Sequence, residues 1–327
     1  MTITRRIAGK AALAAPALLL ARPSIAQGGF PSRAVRIVVP YTPGGVSDIT
    51  ARLIAEPLAA GWGQPVPVEN RAGADGIIGT EVVAKSAPDG HTLALVSVGH
   101  PVNAAYYRLP YDTMRDFSFI TLTTRTPLVI VAGKNFAPST PAELVARAKD
   151  SRAAPVTFAG TGGVVRLAPI LFAQRAEIEL TYVPYRGSTQ AHPDIMAGRV
   201  DIMFDTVPAA LAHIQSGNFK AIATTGAARA PQLPDVPTVG EAFMPGFEAS
   251  TWGMVMGPAN IPAPVLAKLS ADCGAAVMRP DVVARHATLG AEVVRSTPEE
   301  TRRFVQAEME KWGDAARKAG IQPQAAG

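Results

Sequence analysis

The segment Pro40-Tyr41-Thr42-Pro43-Gly44-Gly45-Val46-Ser47-Asp48 joins an apolar run to a helical pattern. Two adjacent glycines let the backbone turn sharply and leave no Cβ to block a ligand. A helix starting here offers unpaired N–H groups and the positive end of its dipole. Both favour an anion, a carboxylate in the first instance. Ser47 or Asp48 can cap that helix. By spacing alone, the segment is also what a plain capped turn would look like.

Other loops carry polar groups behind apolar runs. Ser97-Val98-Gly99-His100, with Asn103 just beyond, offers Ser97 and Asn103 as hydrogen-bonding groups for a ligand. His100 reads as an exposed loop residue, since no acid or nucleophile pairs with it. Ala159-Gly160-Thr161-Gly162-Gly163 is a second anion cradle. It does not complete G-x-G-x-x-G, because Arg166 and Leu167 follow. Val183-Pro184-Tyr185-Arg186-Gly187-Ser188 is a further loop of this kind. In Phe204-Asp205-Thr206, Asp205 either meets a ligand hydroxyl or amine or caps the next helix. Tyr41, Tyr185 and Trp252 are candidates for cleft walls or for core.

Catalytic signatures are missing: there is no G-x-x-x-x-G-K-[ST], H-E-x-x-H or G-x-S-x-G. The five histidines show no metal-ligand spacing. One reading is a binding protein with no catalytic residue, metal or cofactor. The competing reading is an α/β enzyme acting on small carboxylic acids, with Asp48, His100 and Asp205 as first suspects.

Alternating strands and helices must position these loops. Val35–Val39, Thr92–Val98, Leu128–Ala132, Val156–Phe158, Leu180–Val183, Val200–Phe204, Ala221–Thr224 and Thr251–Met256 read as strands. Helical patterns cover Ser47–Ala60, a helix opened by Ser139-Thr140-Pro141, Val164–Gln174, Thr189–Ala197 and Pro208–Gln215. They return in Ala263–Val277, Asp281–Leu289 and Pro298–Lys318. The alternation predicts an α/β fold of two lobes, each a sheet flanked by helices, with ligand loops beyond the carboxyl ends of the strands.

Residues 1–26 read as a cleaved export signal. Arg5, Arg6 and Lys10 precede the apolar run Ala11–Ala21, and Ser24 and Ala26 set a cut before Gln27. Thr4-Arg5-Arg6 also fits a twin-arginine signal. The expected location is the periplasm. Four of the 31 cations and no acid lie in this segment, so the mature chain carries 27 cations against 26 acids. A net charge of about +1 argues against a nucleic-acid surface. Cys273 is the single cysteine, so no intramolecular disulfide forms.

Taken in order, several blocks resemble the solute receptors of tripartite tricarboxylate transporters, the Bug family. They are Pro40–Asp48 with Ala51-Arg52, Gly63-Gln64-Pro65 through Val68-Glu69-Asn70-Arg71, and Pro88-Asp89-Gly90-His91-Thr92-Leu93. Leu109-Pro110-Tyr111-Asp112, Asp116-Phe117, Val183–Gly187, Ala197–Asp201 and Leu233–Thr238 complete the set. The resemblance implies a periplasmic binding protein of the second type, with two crossover segments. Lobe one would be 27–126 plus 250–327, and lobe two 127–249. It implies a carboxylate held, partly through water, by Pro43, Gly44, Gly45 and Asp48, with second-lobe contacts at Thr161, Gly162, Tyr185, Gly187 and Asp205. Implied partners are a small carboxylate and the membrane permease subunits, with the receptor itself a monomer. A sensory receptor shares this fold. The chain departs from the family at its short Gly160–Gly163 loop and at Arg166, where a histidine is common. Arg166 is accordingly expected near the cleft, against a second carboxylate.

Overall fold

β1 (Arg36–Val39) is an apolar run buried inside a sheet, where parallel neighbours cover both its edges. The computed structural model describes residues 29–161 and 163–325; the expected signal and Gly162 lie outside the described residues. After β1 come α1 (Val46–Trp62), β2 (Val68–Asn70), α2 (Ile77–Ala84), β3 (Thr92–Ser97), α3 (Gly99–Tyr106), β4 (Tyr107–Arg108) and the long β5 (Phe117–Gly133). The second half brings α4 (Pro141–Lys149), β6 (Thr157–Gly160), α5 (Gly163–Ala176), β7 (Thr181–Pro184), α6 (Ser188–Met196), β8 (Ile202–Thr206), α7 (Val207–Gln215), β9 (Phe219–Thr224) and α8 (Val239–Ala242). The chain then returns through β10 (Ser250–Pro258), α9 (Ala263–Val277), α10 (Pro280–Thr288), β11 (Glu292–Val293), α11 (Pro298–Lys318) and β12 (Gln324–Ala325).

Pairing directions place the loops. β1 lies parallel to β2 and β3, while β10 runs antiparallel to both β3 and β5. β3 therefore points the same way as β5, toward the second lobe. Beyond Pro127, β5 pairs antiparallel with β8 and β9, and β6 lies parallel to β7 and β8. These strands point back toward the first lobe. The carboxyl ends of β1 and β3 thus face those of β6, β7 and β8, the geometry that puts ligand loops in a cleft.

β5 changes partners at Pro127, which pairs with Ser250, while Leu128 pairs with Thr206. Thr225 is buried there, its hydroxyl donating to Ala249 O and Leu128 O and accepting from Leu128 N. α11 packs on α3, β5 and α5. Trp252 belongs to the core, 3% exposed, and its Nε1 donates to Glu308 on α11 at 2.9 Å, as does that of Trp312. It is not a cleft wall. Among the described residues, no helix is long and apolar enough to cross a membrane.

Candidate ligand-binding site

The turn after β1 is exposed from Thr42 to Val46, and Gly44 adopts φ +88°, open to glycine at little cost. Gly45 is the N-cap of α1, and no side chain caps the helix. Ser47 is half-buried and does not take the capping role. Asp48, 4% exposed, does not cap either; its Oδ2 reaches back and accepts the Gly44 N–H at 3.0 Å. Arg52, one helical turn on, donates its Nε to both Asp48 oxygens at 3.1 Å. Asn70 Nδ2 donates to Asp48 Oδ1 at 3.0 Å and to Tyr41 O at 3.1 Å. Burial alone would raise the Asp48 pKa, but the hydrogen bonds from Arg52, Gly44 and Asn70 outweigh it and hold the carboxyl below its usual range. Asp48 is thus an ionised brace for the turn, neutralised by Arg52. The first-turn N–H groups of α1 remain for a ligand.

The walls are fixed from within the lobe. Tyr41 Oη accepts from Ser97 N at 3.1 Å and from Ser97 Oγ at 2.8 Å. Asn103, 5% exposed, donates to Asp75 O at 2.9 Å, across from the left-handed Ala74-Asp75 turn. α2 presses on the back of the first turn. A Cβ on Gly79 would stand 2.7 Å from Arg71 O and 2.9 Å from Pro40 Cα, both backbone atoms that shift only with the chain. Gly79→Ala is therefore expected to lower stability by about 1–3 kcal/mol, overriding the helix propensity gained. Urea unfolding checks this, and a variant at least as stable as wild type would contradict the packing.

His100 corrects the sequence reading. The segment after Ser97 is α3, not a loop, and His100 is 2% exposed. Its ring stacks on Tyr111 and meets the edge of Phe117, with Nε2 3.2 Å from Thr113 O. Burial lowers its pKa to about 4, only partly offset by the Thr113 carbonyl. The unfolded chain takes up this proton near pH 6.5 and the folded chain only near pH 4. Stability is therefore present above pH 6.5 and is lost as pH falls through that window, by about 3 kcal/mol in all. Urea melts at several pH values should show a steeper loss for wild type than for His100→Gln; parallel curves would contradict it.

The second lobe repeats the first arrangement. Gly187 is the N-cap of α6, again with no side-chain cap. Asp205, 1% exposed, accepts from Ser188 Oγ at 2.8 Å and from Thr206 N at 2.8 Å, and pairs with His192 Nε2 at 2.7 Å. Tyr185 turns its hydroxyl to Asp194 at 2.6 Å, and Thr161 is half-buried at the mouth of α5. By contrast α4, α8 and α11 are capped by Thr140, Thr238 and Thr297. α9 and α10 lack side-chain caps too, so openness alone does not define a site. Among the described residues, only α1 and α6 combine a glycine cap with a buried aspartate brace, and both begin at the facing strand ends. Sequence reasoning did not assign site roles to Arg52, Asn70, Ser188 and His192. The i,i+4 spacing of Asp48 and Arg52 was a usable signal for one of them.

A cavity of about 490 Å³ lies elsewhere, between the loop at 226–232 and α10. Its Arg125 is already paired with Glu248 at 3.4 Å.

A family model described as the tripartite tricarboxylate transporter family receptor matches residues 50–321. The chain belongs to that family. Protein BugT of Bordetella pertussis is 36% identical over 296 residues, covering 89% of this chain and 90% of that protein. Among solved structures, Rhodopseudomonas palustris Rpa4515 with adipate is 32% identical, with a TM-score of 0.74, covering 90% of this chain and all of that one. MatC of the same organism with bound malate is 34% identical, with a TM-score of 0.70 over 88% of this chain and all of that one. These neighbours bear out the two-lobed periplasmic-binding-protein fold.

Proposed function

We propose that this receptor is exported to the periplasm, captures a small organic carboxylate between its lobes and delivers it to a tripartite tricarboxylate-type membrane permease. The observation that carries the reading is the pair of glycine-capped helices α1 and α6, braced by Asp48 and Asp205 and facing one another across the cleft. The lobes divide near Thr126 and Ser250, around a hinge where β5 changes partners. The carboxylate meets the N–H groups behind Pro43, Gly44 and Gly45, and the loops at Thr161, Tyr185 and Gly187 close over it. Closure is then a population shift driven by ligand contacts to both lobes. The relatives with adipate and malate support the ligand class.

A thermal-shift series tests this. At 100 times Kd, a bound carboxylate adds about 2.7 kcal/mol of stability, whereas the matching amide adds almost none. A melting temperature that responds to amides or amines but to no carboxylate would sink the proposal.

A further inference from the structure

Arg166 makes no hydrogen bond or ion pair among the described residues. It lies one turn into α5, at the end of the second sheet that faces the cleft. Its Cζ sits 4.5 Å from the ring centroid of Tyr182 on β7 and 5.6 Å from that of Tyr106 on α3. One tyrosine belongs to each lobe. A Cβ on Gly160 would stand 2.8 Å from the Tyr182 ring and 3.3 Å from Arg166 Cα, so the end of β6 packs closely on the Tyr182 ring and on α5 at Arg166. Arg166 Nε is buried without a hydrogen-bond partner, and so is the Tyr106 hydroxyl. No carboxylate of the described chain pairs with Arg166.

Half-buried donors without acceptors are unfavourable unless something else supplies the acceptor. Burial raises the Tyr106 pKa to about 12, which keeps its hydroxyl a neutral donor. A guanidinium and a phenol at one seam suit a carboxylate, which Arg grips through two parallel N–H bonds.

We propose that Arg166 and Tyr106 form the seat for a second carboxylate, so that the ligand is a dicarboxylate spanning from the α1 turn to Arg166. This rests on the carboxylate reading of that turn. Because the two donors come from different lobes, the second carboxylate also holds the lobes together. A monocarboxylate uses the α1 turn alone.

Calorimetric titration of the full chain tests it with two series, the α,ω-dicarboxylates from succinate to suberate and the monocarboxylates of equal length. One dicarboxylate length is expected to bind about 10- to 100-fold tighter than its monocarboxylate. Arg166→Gln should erase that preference and leave the monocarboxylate unchanged. Arg166→Lys should keep part of it, and Tyr106→Phe should reduce it severalfold. Tyr106→Phe carries the test if Arg166→Gln does not fold. A dicarboxylate preference that survives Arg166→Gln overturns the proposal. So does an equal loss for both series, which would make Arg166 a brace between the lobes. Tight monocarboxylate binding without any dicarboxylate preference in the wild type overturns the second seat alone, while failure of both series overturns the α1-turn reading with it.

Discussion

Asp48→Ala is expected to weaken carboxylate binding by about 100-fold or more, near 3 kcal/mol. The sign is informative because simple electrostatics points the other way. Removing a negative charge from the anion site, and freeing Arg52, should attract the ligand. That gain is small, since the Arg52 side chain is 55% exposed and exposed charges interact by about 1 kcal/mol or less. The loss is larger. Asp48 is the acceptor that fixes the Gly44 N–H and ties Asn70 to the turn. Without it the donors of α1 no longer point at one place, and preorganisation is what makes them bind. Stability should also drop by about 2–3 kcal/mol, since hydrogen bonds to a charged group are broken. Asp48→Asn keeps the Gly44 acceptor and should fall between. Calorimetry on the three proteins decides it, and tighter binding by Asp48→Ala would show that charge, not geometry, governs the turn.

Asp205→Ala is expected to be the most destabilising single change in the second lobe, at about 3–5 kcal/mol. The carboxylate is fully enclosed, and its removal strands Ser188 Oγ, the Thr206 N–H and His192 Nε2. Because Ser188 opens α6, the loss should reach the ligand site as weaker binding at temperatures where the variant is still folded. Urea unfolding measures the first effect and titration the second. A double-mutant cycle with His192→Ala should show strong coupling. A stability change under 0.5 kcal/mol for Asp205→Ala would remove Asp205 from the role of brace.

The order of strands and helices was largely legible. Val35–Val39, the Gly-Gly turn and the helix after it lie close to where periodicity placed them. α3 was missed because Gly99, His100 and Pro101 read as loop, although proline is favoured in the first turn of a helix. The first half of β5 was missed as well. Its threonines look polar but are β-branched and suit a strand. Pro127 obscures its continuity, standing at the end of the β10 ladder, just before the β8 ladder begins at Leu128.

The α/β alternation and the glycine turn rest on local spacing and the family on an ordered set of blocks, all of which the chain carries in its order of residues. Which polar atoms stay free for a ligand does not. Ser97 is tied to Tyr41, 56 residues away; Asn103 to Asp75, 28 away; and Asp205 to His192, 13 away. Arg166 was suspected from its departure from the family, but its isolation between Tyr106 and Tyr182 exists only once α3 meets α5. Periodicity is a property of neighbours along the chain. Satisfaction of hydrogen bonds is a property of neighbours in space, set by strand register and helix packing, so the braces and the unpaired cation became visible only in the folded molecule.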